Sequence, residues 1–335
     1  MLRHALTLAC GLLVACPAFL NAEFRRSARE LARAKPPGVA ATRASFLNSE
    51  VQRSKPEFQT KTDELARAFS ARLEQIASSV DGSVAYLVVD LTTGQRFERR
   101  AAEPFPTASA IKIGILHELF VQADAGTVSL DDPRPLPAAS RAGGAGILHR
   151  LSSPVLSLRD HALLMILLSD NTATNVLIDT LGADRITAHM QALGASGYQL
   201  RRRMMDGAAA ARGDENLASA NDLAIVMDAI RTGRGLRPES QAEAIRILRE
   251  YGPTSVRAGL PAGIPVATKP GSLDGVRTEV SWVALEGRPY LLVVLVSFLA
   301  DYSSGDAAIR NLSAASHRYF WRLARAGVEG RLLDR

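Results

Sequence analysis

Cysteine is nearly absent from this chain: Cys10 and Cys16 are the two present, and both lie in the apolar N-terminal segment. If that segment is removed after Ala22, the mature protein has no disulfide available and its stability rests on packing. A clustered basic face with interleaved aromatics is also missing. Aromatic residues are 5% of the chain, the basic residues are spread along it, and Arg201 to Arg203 is the single arginine triplet. Nucleic-acid binding is excluded on that pattern. Of the histidines, His4 falls in the N-terminal segment, and His117, His149, His161, His189 and His317 show no HExxH or other close ligand spacing. No metal or other cofactor is called for. The glycines of Arg141 to Gly146 lack a P-loop lysine and a strand-to-helix setting, so they read as a loop near a cleft rather than a phosphate site. Internal repeats and long low-complexity runs are absent as well.

The N-terminus carries Arg3 and His4 ahead of an apolar run from Ala5 to Val14, then small residues to Ala22. A membrane-spanning helix needs roughly 18 to 20 apolar residues, more than this run supplies. The pattern is that of a secretory signal at residues 1–22, which places the protein in an exported, periplasmic setting. Leu13-Val14-Ala15-Cys16 also resembles a lipobox, which would anchor the chain by a lipid on Cys16. Contact with a membrane is expected only through that signal or lipid. Residues 23–60 mix charge, Pro36-Pro37 and small side chains without a period and read as a tether.

The folded part is expected from about residue 61. Thr62 or Asp63 is placed to cap a helix carrying Leu65, Phe69, Ile76 and Val80 on one stripe. Ser83 to Val89 and Gln95 to Arg99 read as a hairpin closed by Thr92-Thr93-Gly94. From Ile111 to about Arg249 the pattern is mostly helical, with Ser157 and Asp160 forming a capping box before an apolar run. Strand patterns return at Pro265 to Lys269, Val276 to Leu285 and Tyr290 to Phe298, and a helix from Ile309 to about Arg325 closes the chain. These patterns predict a sheet built from residues 61–116 and 262–335, with a helical domain, 117–261, inserted between.

Three short motifs stand in order: Ser109-Ala110-Ile111-Lys112, Ser169-Asp170-Asn171 and Lys269-Pro270-Gly271. Pro104-Phe105-Pro106 leads into the first, which opens an apolar helix and leaves free backbone amides around Ser109. Lys112 is on the same face, within reach of the serine hydroxyl. A serine needs a base before it attacks, and a neutral lysine can be that base. Burial or a neighbouring cation makes lysine neutral near pH 7, and Lys269 is the candidate neighbour. Ser169 offers a hydroxyl to pass a proton to a leaving nitrogen, and the Asn171 amide can hold a substrate amide. Asp170 is expected to fix its loop. Gly271 lets an extended substrate lie against a strand, and the Ser272 amide joins that of Ser109 in an oxyanion hole. Lys269 also attracts a substrate carboxylate.

Together with Asn171-Thr172-Ala173-Thr174-Asn175, these motifs resemble the penicillin-recognising serine enzymes, specifically the class A β-lactamase-like family, over roughly Thr62 to Leu323. Ser169 follows Ser109 by 60 residues and Lys269 by 160, as in that family. The resemblance implies an α/β domain with an antiparallel sheet flanked by helices, an inserted all-α domain, and a site in the cleft between them. It implies Ser109, Lys112, Ser169 and Lys269 as catalytic residues and Asn171, Gly271, Ser272 and Arg277 as substrate-binding ones. The substrate is then a β-lactam or a D-Ala-D-Ala-like peptide. Two positions depart from the pattern. The glutamate that activates the deacylating water in class A enzymes falls at Met204, with Asp206 and Glu215 as neighbouring carboxylates. Pro270 stands where the family has a threonine or serine, and Arg277 is an alternative carboxylate ligand. Three readings follow: a β-lactamase, a cell-wall D,D-peptidase or related amidase or esterase, and a penicillin-binding sensor that acylates without turnover.

Overall fold

Turn chemistry sets the first strand pair. The carboxylate of Asp90 accepts from the Thr92 amide at 2.9 Å and the Thr93 hydroxyl at 2.7 Å, and Gly94 takes a φ of 78° that other residues avoid. In the computed structural model, which describes residues 61–333 apart from Ser153 and Val328, this turn joins β1 (Ser83–Asp90) to β2 (Arg96–Arg99), with Tyr86 opposite Arg99. The expected signal, the lipobox Cys16 and the tether lie outside the described residues. Residues 61–78 are helical (α1). Thr62 and Asp63 therefore sit inside that helix and do not cap it, because the helix is already formed at residue 61.

The chain returns to the same sheet at its far end. β7 (Val266–Leu273), β8 (Val276–Val283) and β9 (Tyr290–Ser297) pair antiparallel, and β9 runs alongside β1, giving the order β2-β1-β9-β8-β7. β7 is the edge strand and continues through Pro270 and Gly271, beyond the stretch expected from the pattern. Proline has no N–H to give, and an edge strand tolerates that.

Every residue of β9 is buried, which is the mark of a strand covered on both faces. Ala85, Leu87, Val293 and Leu295 face one core, and Val84, Tyr86, Val88, Leu292 and Val294 face another. The second core is closed by α1 and the C-terminal helix, Tyr302–Arg325, whose Tyr319 stacks on Phe69 at 4.3 Å. That helix begins seven residues before the expected Ile309, because the Asp301 carboxylate caps it by accepting from the Ser303 and Ser304 amides.

The first core is closed by the segment between β2 and β7. Two residues of it, Phe105–Pro106 (β3), pair with Leu217–Ala218 (β6), and Pro133–Pro135 (β4) pairs with Val155–Ser157 (β5). Helix α2 (Lys112–Asp124) runs through its centre with ten buried residues. Around it lie α3 (Leu158–Leu167), α4 (Asn171–Leu181), α5 (Ala183–Ala192), the short α6 (Gly207–Ala211), α7 (Ala220–Thr232) and α8 (Pro238–Arg249). α9 (Ser255–Ala258) leads back to β7, and the C-terminal helix is α10. Ser157 caps α3 as expected, accepting from the Asp160 amide at 3.1 Å. The core of α2 begins at Lys112 itself, so whatever stands at the helix N-terminus is fixed against both the sheet and the helices.

Candidate active site

Ser109 lies in a 3-10 turn, Ala108–Ile111, that feeds α2. Three contacts hold the turn. The Thr107 amide and hydroxyl both donate to the Asn216 carbonyl at 3.1 Å. From the sheet, the Thr278 hydroxyl donates to the Thr107 carbonyl at 2.8 Å. Ala108 is forced to a φ of 48°, an arrangement that costs about 1–3 kcal/mol and persists only where surrounding contacts impose it. Ser109 is half-buried, and among the described residues neither its amide nor its hydroxyl has a hydrogen-bond partner. A free amide and a free hydroxyl on one residue are what a nucleophile with its own oxyanion donor requires.

Lys112 is fully buried, and its Nζ donates to the Ser169 carbonyl at 2.8 Å, the Ser169 hydroxyl at 3.2 Å and the Asn171 Oδ1 at 3.0 Å. It makes no hydrogen bond to Ser109, contrary to the direct contact expected from helical spacing. In the resting site its hydrogen-bond partners are on Ser169 and Asn171. Burial lowers Lys112 to about 7, against a raising influence of Asp170. Lys269 is also fully buried and donates to the Ser169 hydroxyl at 3.0 Å and to the Pro270 carbonyl at 2.8 Å. Burial, and then the charge of Lys112, hold Lys269 well below the ordinary lysine range, while Glu279 raises it.

Asp170 does fix its loop. One carboxylate oxygen caps α4 by accepting from the Ala173 amide at 2.9 Å, and the other accepts from the Ile147 and Leu148 amides at 2.7 and 2.9 Å. The glycine-rich loop is thereby drawn to the cleft, where the Asn171 Nδ2 donates to the Gly143 carbonyl at 2.9 Å. Ser169, which immediately precedes these two anchored residues, has a φ of 52°.

Gly271 has a packing reason beside the substrate role expected of it. A Cβ there would lie 2.7 Å from the Ser109 amide nitrogen, 2.7 Å from the Thr107 carbonyl and 2.4 Å from the Thr278 hydroxyl. The absent side chain makes room for the nucleophile's own turn, which packs directly on the edge strand. Ser272, one residue on, is exposed beside Ser109 and accepts from Arg277 at 2.6 Å. Arg277 also pairs with Asp306 at 3.5 Å and lies 4.2 Å from the Tyr302 ring centre.

Two cavities open at Ser109. One, of about 320 Å³, is walled by Asn171, Met204, Met205, Glu215 and Ser272. The other, of about 350 Å³, is walled by Ser169, Tyr251, Pro270, Arg277 and Glu279. All eight site residues named from the sequence are thus brought together: Lys112 and Lys269 from beneath, the other six at the cavity walls. Met204 is where the missing glutamate was sought. It is buried, and Asn175 clamps its backbone, accepting from the Met204 amide at 2.8 Å and donating to its carbonyl at 3.3 Å. Asp206 caps α6 through the Ala209 amide. Glu215 is held by Arg202 at 2.7 Å and by the Asn216 amide at 2.9 Å. Sequence reasoning missed Thr278, Asn216, Tyr251 and Glu279. Only Glu279 left a signal, a carboxylate in the middle of a strand pattern.

Residues 68–320 match the beta-lactamase enzyme family. A beta-lactamase of Rhodobacter capsulatus is 25% identical over 254 residues, 74% of this chain and 87% of that protein. Among solved structures, a beta-lactamase from Sphaerobacter thermophilus superposes with a TM-score of 0.70 at 30% identity, covering 76% of this chain and 97% of that one. A variant of PBP-A with a leucine replaced by glutamate, solved as an acyl-enzyme with penicillin G, superposes at 0.71 with 27% identity, over 76% of this chain and 97% of that one.

Proposed function

The chain belongs to the beta-lactamase enzyme family, and from that membership we propose that it is a serine hydrolase that opens the β-lactam amide through an acyl-enzyme at Ser109. The observation that carries this is the convergence of Lys112, Ser169 and Lys269 beside a serine whose amide and hydroxyl are both unengaged. In the acylation step the Ser109 oxygen bonds to the amide carbonyl carbon and its proton passes to neutral Lys112. The C–N bond breaks as the leaving nitrogen takes a proton from the Ser169 hydroxyl, which is replenished by a lysine donating to it. The Ser109 amide faces the oxygen that gains charge, and each such donor typically contributes about 3 kcal/mol. Water then attacks the ester and frees Ser109.

Met204 favours a second reading. A thioether cannot take a proton from water, and the carboxylates nearest to it, Asp206 and Glu215, are engaged by a helix cap and by Arg202. A D,D-peptidase, or a penicillin-binding sensor with a long-lived adduct, fits that wall of the cleft. The signal at residues 1–22 supports export to the periplasm, with Cys16 as a lipid-anchor position. Loss of the protein from a membrane fraction on Cys16→Ala would support the anchor, and unchanged fractionation would remove it.

One experiment separates the readings: incubation with a chromogenic cephalosporin, following product release and intact mass together. Sustained release supports the β-lactamase. A stoichiometric burst with a lasting mass increase at Ser109 supports the peptidase or sensor. Equal behaviour of wild type and Ser109→Ala would falsify the nucleophile.

A further inference from the structure

Arg277 lines the cavity that Ser109 shares with Tyr251 and Pro270, and a carboxylate of this chain already stands on it. Its Nε faces Asp306 Oδ1 at 3.5 Å, its Nη1 donates to the Ser272 hydroxyl at 2.6 Å and to the Val276 carbonyl at 3.0 Å, and its guanidinium carbon lies 4.2 Å from the Tyr302 ring centre. Those neighbours are themselves held. The Ser255 hydroxyl donates to the same Asp306 oxygen at 3.2 Å, and the Tyr302 hydroxyl donates to Asp274 at 2.6 Å. Gly305 brings Asp306 into place: a Cβ on it would stand 2.6 Å from Leu299 Cδ1 and 3.0 Å from Arg277 Cγ. Glycine weakens a helix relative to alanine, and here it lets α10 lie directly on the arginine.

The other groups on that wall offer little to a substrate carboxylate. Pro270 has neither a hydroxyl nor an N–H. The Thr278 hydroxyl donates to the Thr107 carbonyl at 2.8 Å. Lys269 lies fully buried beneath, donates to the Ser169 hydroxyl and the Pro270 carbonyl, and is held well below the ordinary lysine range by burial and then by the charge of Lys112. Ser272 keeps a proton to give, from a hydroxyl whose oxygen accepts from Arg277. Asp306 is half-exposed at the mouth of this cavity. A second carboxylate arriving at Arg277 meets that negative charge and has to displace it, and like charges brought together are disfavoured.

We propose that this cleft serves acyl donors whose leaving group carries no carboxylate, neutral esters or amides, and that Asp306, standing on Arg277, sets that preference. This rests on the acyl-enzyme reading and names the substrate class of the same site. The acyl group passes to Ser109, the C–O or C–N bond breaks, and the alcohol or amine leaves with a proton from Ser169; water then releases the acid and frees Ser109. A penicillin, whose carboxylate sits beside the nitrogen that leaves, still reaches Ser109 but draws no help from Arg277.

Two esters of one acid test this: phenylacetylglycine esterified with phenol, and with phenol carrying a meta carboxylate. Release of the phenol gives kcat/KM for each, and division by the rate of alkaline hydrolysis removes the difference in intrinsic reactivity. In the wild type the neutral ester is expected to react faster. Asp306→Asn removes the competing charge and is expected to raise the carboxylated-to-neutral ratio by about tenfold, the effect of one hydrogen bond to a charged group. Each ratio is taken within one protein, so a general loss of activity or of folded material cancels. A wild type that takes the carboxylated ester as fast as the neutral one, or faster, overturns the proposal and needs no variant to fold. So does a ratio that Asp306→Asn leaves unmoved. Failure of the acyl-enzyme reading looks different: both esters then react no faster with the wild type than with Ser109→Ala, and this inference falls with it.

Discussion

Lys112 and Lys269 donate to the same hydroxyl oxygen, that of Ser169, at 3.2 and 3.0 Å. One oxygen has two acceptor positions, and both are filled, so the hydroxyl proton of Ser169 is directed away from the lysines and toward the open cleft. A group that receives protons from below and offers one above is a relay to a leaving group. The relay works only if one lysine is replenished by the nucleophile, which links the charge state of Lys112 to the rate.

Acylation is therefore expected to depend on pH with a midpoint near that of Lys112, about 7. Below it the lysine is protonated and cannot take the serine proton, so the acylation rate falls about tenfold per pH unit. Above it the rate levels off. Stopped-flow acylation by a cephalosporin from pH 5 to 9 measures this directly. A rate independent of pH across that window would remove Lys112 from the base role.

The same shift has a signature in stability. The folded-state pKa of Lys112 lies below its unfolded value of 10.5, so between about pH 7 and pH 10 the unfolded chain binds a proton that the folded one does not. Stability is then expected to rise with pH across that window, by up to about 1.4 kcal/mol per pH unit for one lysine. Urea denaturation at pH 7 and 9 checks it. Lys112→Met, which carries no such proton, has a flatter profile; an equally steep one would mean that Lys112 is charged in the fold.

Gly271→Ala is expected to damage the nucleophile rather than substrate binding. Its Cβ would meet the Ser109 amide and the Thr107 carbonyl, both at 2.7 Å, and the 3-10 turn would have to move. Overpacking of this kind costs about 1–3 kcal/mol, and a displaced nucleophile of about 1 Å reduces the rate by about 100-fold. The split in kinetics decides: loss of acylation rate with binding retained supports the packing role, and weakened binding with the rate retained supports direct substrate contact.

Much of this site is legible in the sequence. Ser109, Ser169 and Lys269 sit in local strings with fixed separations, and the β-branched runs that became β8 and β9 announce a sheet whose edge can take Pro270. The purpose of Gly271 was not legible, since it depends on a contact between β7 and the turn at Ser109, 162 residues apart. Nor was the resting partner of Lys112: helical spacing put it near Ser109, while two acceptors from another segment, Ser169 and Asn171, claim its protons. Thr278 and Asn216 clamp the nucleophile's turn through ordinary strand and loop positions that carry no motif. Sequence periodicity reports which face a residue takes, and these contacts are made between faces.

Met204→Glu tests the wall of the cleft that lacks a base. Met204 lines the same cavity as Ser109 and Asn171, and Asn175 fixes its backbone on both sides, so a glutamate there is held in place. Its carboxylate would stand where water approaches the ester, beside a cavity large enough to hold that water. A positioned general base typically contributes about 100-fold or more, so the lifetime of a cephalosporin adduct on Ser109 is expected to fall by at least about tenfold while the acylation rate stays the same. Intact-mass measurements after rapid mixing give both rates. The substitution buries a carboxylate in place of a thioether, and its thermal stability is expected to drop by about 1–3 kcal/mol, a cost that Met204 spares the natural chain. An adduct lifetime unchanged in a folded Met204→Glu protein would place the attacking water elsewhere in the cleft, on the side of Tyr251 and Pro270.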